Sequence, residues 1–215
     1  MRRCLALLLL FAMPASAAIT RVQKSPLVNV SSSTTCKPNL SSSTTMNDLL
    51  VVWATWTPGN SVSASVGDQA GNSFPSAVGP TLQANASPQI SGQIFYAKKI
   101  FPNTGGDNIT VTFSSAATAS CAAVEYSGLD LTYPLDTVSA ASSLTTGYLL
   151  DSGAAAPANA NLLVFGAGTT DATTTSILAA GTGFTSLVAN SKSITEEDIT
   201  TSPRKPGTDG TFPIS

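Results

Sequence analysis

The 215-residue sequence contains no histidine, and this absence narrows the chemistry open to the protein. Serine and cysteine nucleophiles are usually activated by a histidine base. Histidine is also a principal ligand of zinc, copper and non-haem iron. An enzyme with this sequence would have to move protons with carboxylates, tyrosine or lysine, and we therefore favour a non-catalytic function.

Charged side chains are also scarce, at 10% of the residues against roughly 25% in an average domain. The 12 acidic side chains outnumber the 10 basic ones. Nucleic-acid binding depends on clustered Lys and Arg that displace counterions, so the composition argues against a nucleic-acid partner. Ser, Thr, Ala, Gly and Asn take the place of charge and predict a neutral, hydroxyl-rich surface.

The sequence lacks an apolar run long enough for a transmembrane anchor, which needs about 20 residues. Its most apolar stretch, residues 4–13, follows Arg2 and Arg3 and is closed by Pro14. The small residues 15–17 come next, which is the pattern of a secretory signal peptide. We predict a signal peptide over residues 1–17, cleavage after Ala17, and one secreted domain over residues 18–215.

Cysteine is rare, and the predicted cleavage removes one of the three, Cys4. The two that remain are Cys36 and Cys121. In an oxidising compartment two cysteines can form one disulfide. Two separate buried thiols are the alternative, because a sequence does not give the distance between the residues.

Most of the sequence has the residue patterns of β-strands. Residues 48–57 and 161–170 are apolar on both faces, so each is predicted to lie in the middle of a sheet. Residues 108–130 contain two alternating runs with small residues between them. Turn signals recur roughly every 8 to 15 residues, and this spacing predicts an all-β, antiparallel two-sheet β-sandwich that is jelly-roll-like.

A set of short motifs resembles a group of secreted bacterial β-sandwich modules with a jelly-roll or concanavalin-like fold. The motifs are VEYSGLD at 124–130 with PLD at 134–136, NDLLVVWATW at 47–56, DQAGN at 68–72, FYAK at 95–98, NLLVFGAG at 161–168 and GFT at 183–185. The resemblance implies the fold, an extracellular location and neighbouring extracellular modules, and it implies no particular activity.

The C-terminal residues 202–215 depart from this resemblance. Related modules end with a strand that carries a tryptophan and a closing phenylalanine, whereas this chain has SPRKPGTDGTFPIS. We interpret the difference as a truncation or a frame change near Pro203.

Asp68 and Asn72 are candidate metal ligands, because they place oxygen atoms on one tight turn. Ca²⁺ is a hard ion that is bound by six to eight oxygens. The alternative is an ordinary turn, since Asp, Gly and Asn adopt such turns without a metal.

Three other residues are candidate binding positions. Trp56 offers an aromatic face for sugar stacking, with a place in the core as the alternative. Glu125 alternates with Val124 and Tyr126, so we expect it to point outward. With Asp130 it would supply the paired carboxylates of a glycosidase, and solvated surface acids are the alternative.

An acidic segment over residues 196–198 is predicted to be a solvated edge, since charge on an edge strand prevents aggregation, or else a cation site. The leading hypothesis from the whole sequence is a secreted, non-catalytic module that binds carbohydrate or mediates adhesion. A polysaccharide hydrolase that uses carboxylates and a purely structural envelope module are the alternatives.

Overall fold

The computed structural model describes residues 18–84, 86–142, 149–152, 161–170, 178–190, 192–200 and 211–213. The predicted signal peptide and Pro203 lie outside these residues. Within the described ranges, the chain has no helix with the length and apolarity needed to cross a membrane.

Regular structure in the described residues is entirely β, as the sequence predicts. The strands are β1 Thr20–Lys24, β2 Val28–Cys36, β3 Leu49–Thr57, β4 Ala64–Gly67, β5 Ser76–Gln83, β6 Ile90–Ala97, β7 Thr110–Ser127, β8 Leu149–Asp151, β9 Leu162–Thr169, β10 Thr185–Ala189, β11 Ser193–Thr200 and β12 Thr211–Pro213. Residues 135–140 and 178–180 are irregular.

β7 is the centre of a seven-stranded antiparallel sheet. Its second half pairs with β3, which continues through β6 to β5, and its first half pairs with β4. Its other edge pairs with β1 and β2. The segment that the sequence divides into two strands is therefore one strand of 18 residues.

A disulfide between Cys36 and Cys121 shows that β7 folds back on itself. Cys36 pairs with Val111 in the register of β2 and β7. Val111 and Cys121 would lie about 33 Å apart on a straight strand, yet the Cα atoms of the two cysteines are 6.2 Å apart. The bend falls where the β2–β7 register shifts, between Thr112 and Ala117.

The folded β7 encloses the larger hydrophobic core, here called the first core. One face of β3 enters it through Leu50, Val52, Ala54 and Trp56. Both halves of β7 contribute, and the remaining buried members are Cys36, Leu40, Val62, Phe95, Ala97, Ile100, Ile109, Val111, Phe113, Ala117, Ala119, Cys121 and Ala123.

The opposite face of β3 packs on a second sheet of three strands in the order β10–β11–β9. Leu49 and Val51 of β3 join Leu187, Leu163 and Phe165 of the second sheet in this smaller core. Both faces of β3 are thus covered, which confirms its predicted central position, and the two sheets are consistent with a β-sandwich. β9 lies at the edge of the described three-stranded sheet, so the prediction of a central position for residues 161–170 is wrong.

The acidic segment of β11 is interior, which corrects the prediction of a solvated edge. Glu196 is 0% exposed and Glu197 is 6% exposed, and β11 is the middle strand of the described three-stranded sheet. Arg21 of β1 forms an ion pair with Glu197, and Lys24 donates a hydrogen bond to the carbonyl of Leu187. Strand β1 therefore links the two sheets through polar contacts.

Candidate functional site

Several loops meet at one end of the main sheet, here called the loop end. The start of β3 pairs with the ends of β7 and β6, with Leu49 opposite Tyr126 and Leu50 opposite Ala97. Because β7 folds back, its first residues return to the same end. The segments before β3, after β4, after β6 and after β7 are therefore neighbours.

Glu125 is fully buried at the loop end. The alternation along β7 places it opposite Val124 and Tyr126, as predicted, but the second face of β7 is also covered, so the outward position is wrong. Its Oε1 accepts a hydrogen bond of 2.6 Å from the backbone N–H of Thr45, and its Oε2 accepts one of 2.6 Å from Gln23. Glu125 therefore fixes the segment that precedes β3.

Asp48 lies beside Glu125 and is 8% exposed. Burial raises the pKa of Asp48 to about 6, and the neighbouring charge of Glu125 adds to the effect. The Oδ2 of Asp48 accepts no hydrogen bond from any described residue. Both oxygens of Glu125 thus have N–H donors, whereas the Oδ2 of Asp48 has none among the described residues.

Asp107 precedes β7 and is fully buried. Burial raises its pKa to about 6; a hydrogen bond from Asn103 opposes the rise, and the charges of Asp68 and Glu125 increase it. Its Oδ1 lies 3.3 Å from the Asn103 amide, and no described residue donates to its Oδ2. Asp48, Asp68, Asp107 and Glu125 are here called the carboxylate cluster.

The turn that carries Asp68 is closed by Asn72. Asn72 donates to Asp68 from its backbone N–H at 2.8 Å and from its side-chain amide at 2.6 Å. The side-chain oxygen of Asn72 accepts the N–H of Phe101 at 2.8 Å, which directs it away from Asp68. Among the described residues, no three Asp, Glu, His or Cys side chains are placed to hold a metal ion together.

Trp56 is 1% exposed and belongs to the first core. Its indole N–H donates to the carbonyl of Val62 at 2.8 Å, and its ring lies 5.9 Å from the ring of Phe113. Both faces of β3 are covered, so Trp56 has no surface to offer a sugar, and its role is packing.

Asp130 is exposed and forms a turn after β7. Its Oδ1 accepts the backbone N–H groups of Thr132 at 2.6 Å and Tyr133 at 2.7 Å, and these bonds lower its pKa. The turn presents the Tyr133 side chain, which is 84% exposed. The Lys98 ammonium lies 5.8 Å from the centre of the Tyr133 ring and donates a hydrogen bond to the carbonyl of Thr132.

Two more exposed apolar side chains lie at the loop end, Met46 and Phe101. Their segments are joined by the hydrogen bond of 3.0 Å from the N–H of Asn47 to the carbonyl of Ile100. Sequence analysis missed Tyr133, Lys98, Asp48 and Asp107. A signal was present for the acids, since Asp48 directly precedes β3 and Asp107 lies three residues before β7, but only the sheet register shows that those strand ends meet.

These features define an all-β protein with two packed sheets, and with the carboxylate cluster and an exposed tyrosine at one end. Comparisons with protein-family models, with curated proteins and with solved structures find no match to this chain.

Proposed function

We propose that the protein is an exported, non-catalytic, jelly-roll-like β-sandwich module that binds carbohydrate outside the cell through its loop end. The observation that carries the proposal is the exposed Tyr133 ring, which the Asp130 turn holds in place. Tyrosine and tryptophan faces are suited to sugars because they combine an apolar face with a polar edge.

The charged groups around Tyr133 support a polar ligand. Lys98 lies over the ring and Asp130 lies one turn away, so a hydroxyl-rich ligand stacked on the tyrosine would find a donor and an acceptor beside it. Few charged residues and many hydroxyl groups elsewhere on the chain fit a neutral glycan better than an anionic polymer.

An extracellular location is supported by the disulfide between Cys36 and Cys121. Such bonds form and persist in oxidising compartments and are rare in a reducing cytoplasm. The signal-peptide pattern of residues 1–17 points to the same location.

The enclosure of Glu125 favours this function over polysaccharide hydrolysis. A glycosidase needs two carboxyl groups that reach the scissile bond. Glu125 is fully buried, and both of its oxygens already accept hydrogen bonds.

A glycan array probed with the exported protein tests the proposal. We expect binding to one class of neutral glycans, and we expect Tyr133→Ala to lower the affinity about tenfold, the loss of one stacking contact of about 1–1.5 kcal/mol. Tyr133→Phe should retain most of the binding, because it keeps the ring. Val22→Ala is the matched control, since Val22 is an exposed apolar residue on β1.

Three outcomes would contradict the proposal. Folded protein that binds no glycan would favour a structural module. Glycan binding that survives Tyr133→Ala would place the ligand elsewhere. Release of reducing sugar from a bound polysaccharide would favour the hydrolase.

A further inference from the structure

Met46 occupies the outer corner of a β-turn at the loop end. The turn spans residues 45–48 and is closed by a hydrogen bond of 3.2 Å from the N–H of Asp48 to the carbonyl of Thr45. Its third residue, Asn47, has a φ of 70°, a left-handed conformation that asparagine tolerates. The Met46 side chain is 57% exposed, so the turn presents an apolar side chain to solvent.

Phe101 is held beside this turn through its backbone. Its N–H donates to the side-chain oxygen of Asn72 at 2.8 Å, and its carbonyl accepts a hydrogen bond of 3.2 Å from the Asn72 amide. The preceding residue, Ile100, is fully buried and exchanges backbone hydrogen bonds with residues 47 and 48, at 3.0 Å and 3.2 Å. The Phe101 side chain is nevertheless 64% exposed. Met46 and Phe101 are here called the apolar tip.

Two exposed lysines, Lys98 and Lys99, directly precede Ile100. Lys99 has a φ of 51°, which is uncommon for residues other than glycine, asparagine and aspartate. Unfavourable backbone conformations are concentrated at functional segments, where the surrounding structure retains them. This one lies two residues before Phe101, and it therefore supports a functional role for the segment that carries the exposed ring.

The acids near the apolar tip offer little charge to solvent. Asp48 is 8% exposed and Asp107 is fully buried. Asp68 is partly exposed, and both of its oxygens accept hydrogen bonds from Asn72. The exposed acid of the loop end is Asp130, on the turn that holds the tyrosine ring. The two lysines therefore give the segment of the apolar tip a positive surface.

The apolar tip is too small to hold a protein partner or a second copy of the chain. A fully exposed side chain of this size presents roughly 150–250 Å², so Met46 and Phe101 together offer roughly 200–300 Å². A stable protein interface covers about 800 Å² on each partner, of which roughly 450 Å² is apolar. A lipid surface sets no such minimum, because apolar side chains enter it one by one and binding increases with the area buried.

We propose that the apolar tip docks the protein on a lipid surface with anionic headgroups. Met46 and Phe101 enter the boundary between headgroups and acyl chains, as apolar side chains of interfacial anchors do. Lys98 and Lys99 stay at the polar edge, where the stem of a lysine lies along apolar groups and its ammonium remains in water. The docking is shallow and reversible, since two side chains enter. It requires no glycan, so it is independent of the proposed function of Tyr133.

Cosedimentation of the exported protein with lipid vesicles tests the proposal. We expect binding to vesicles that contain phosphatidylglycerol, and binding roughly 25-fold weaker to vesicles of phosphatidylcholine alone, because each lysine near an anionic surface contributes about fivefold. High salt should reduce this preference by screening the charges. Lys99→Gln should lower binding to the anionic vesicles about fivefold and leave binding to phosphatidylcholine unchanged.

Variants of the apolar tip locate the contact. Met46→Ser and Phe101→Ser should each weaken vesicle binding at least about tenfold, because each removes most of one buried side chain. Val22→Ser is the matched control, since Val22 is 45% exposed but lies on β1, and it should bind as wild type does. On the glycan array both tip variants should behave as wild type, so vesicle binding and glycan binding can fail separately.

The proposal is overturned if folded wild-type protein does not sediment with phosphatidylglycerol vesicles at low salt. It is also overturned if Met46→Ser combined with Phe101→Ser binds vesicles as wild type does, or if Val22→Ser loses as much binding as the tip variants. Each single variant provides the test if the double variant fails to fold. Self-association that the tip variants abolish, without vesicle binding by wild type, would instead identify a contact between copies of the chain.

Discussion

Individual carboxylates of the loop end have opposite properties because of their surroundings. Asp48 is enclosed beside Glu125, and burial raises its pKa to about 6. Asp130 lies in solvent and accepts two backbone N–H bonds, which lower its pKa. The same functional group therefore changes stability in opposite directions as the pH changes.

We expect wild type to lose stability relative to Asp48→Asn as the pH rises from about 4 to about 7. Folding raises the pKa of Asp48 from its ordinary 3.8 to about 6, so the folded state binds more protons in this window. The stabilisation is present below the ordinary pKa and is lost as the pH passes the folded value. Urea unfolding, measured across the window, gives the difference.

Asp130→Asn should show the opposite dependence of stability on pH. The folded pKa of Asp130 is lowered, so its contribution is present above the ordinary pKa and disappears as the pH falls. The prediction for Asp48 is wrong if both variants change in the same direction, or if the curves of wild type and Asp48→Asn remain parallel.

Sequence patterns at this scale show which way side chains alternate but not what covers them. The alternation of Glu125 with Val124 and Tyr126 is confirmed, and its outward position is wrong, since the covering segment with Thr45 is distant in the chain. Trp56 lies in the core, the alternative to a sugar-stacking position, because both faces of β3 are covered. The Asp68–Asn72 turn is recognisable because the two hydrogen bonds that close it join Asn72 to Asp68 within the turn.

A glycine leaves room for the close packing of strands β3 and β6. Trp53 of β3 lies over Gly92 of β6, and a Cβ on residue 92 would stand 2.3 Å from the indole ring. Trp53 is 5% exposed, so the ring has little room to move. The absence of a side chain at position 92 therefore permits the contact between these strands.

We expect Gly92→Ala to lower the free energy of unfolding by about 1–3 kcal/mol, the usual cost of forcing extra atoms into a packed core. Denaturant unfolding measures this directly. Gly67→Ala in β4 is the control, because no atom lies within 4 Å of the position that its Cβ would take. It should be neutral or stabilise by up to about 1 kcal/mol, and an equal loss in both variants would contradict the explanation.

A strand is predicted most directly from the sequence when both of its faces are buried. Residues 48–57 carry apolar side chains on both faces, and this directly predicts β3. Small residues between two alternating runs suggest a turn within residues 108–130, whereas the chain bends there without leaving the sheet. The acidic β11 has the pattern of an exposed strand because its countercharge, Arg21, lies 176 residues away in the sequence.

At the scale of the molecule, the disulfide joins the two halves of the bent main sheet. Cys36 and Cys121 are 85 residues apart in sequence and both are fully buried in the first core. The bond encloses β3, β4, β5 and β6 between its ends. The unfolded chain is therefore restricted over the segment that forms most of the core.

We expect Cys36→Ser combined with Cys121→Ser to reduce the free energy of unfolding by about 4–5 kcal/mol, the chain-entropy value for a loop of this length. The protein should be produced with residues 1–17 included and purified from an oxidising periplasm. Mass spectrometry should then show an N-terminus at Ala18 and no free thiol. Uncleaved protein would count against export. Equal stability of wild type and the double variant would count against a stabilising role of the bond.

The disulfide between Cys36 and Cys121 also has a mechanical consequence. When the chain is pulled from both ends, the residues between the two cysteines cannot lengthen while the bond is intact. A fully extended segment of 85 residues would reach about 300 Å. The intact bond prevents this length from adding to the extension of the chain. Under flow or traction, β1 and the three-stranded sheet, which lie outside the bond, would extend. The residues between the two cysteines would not.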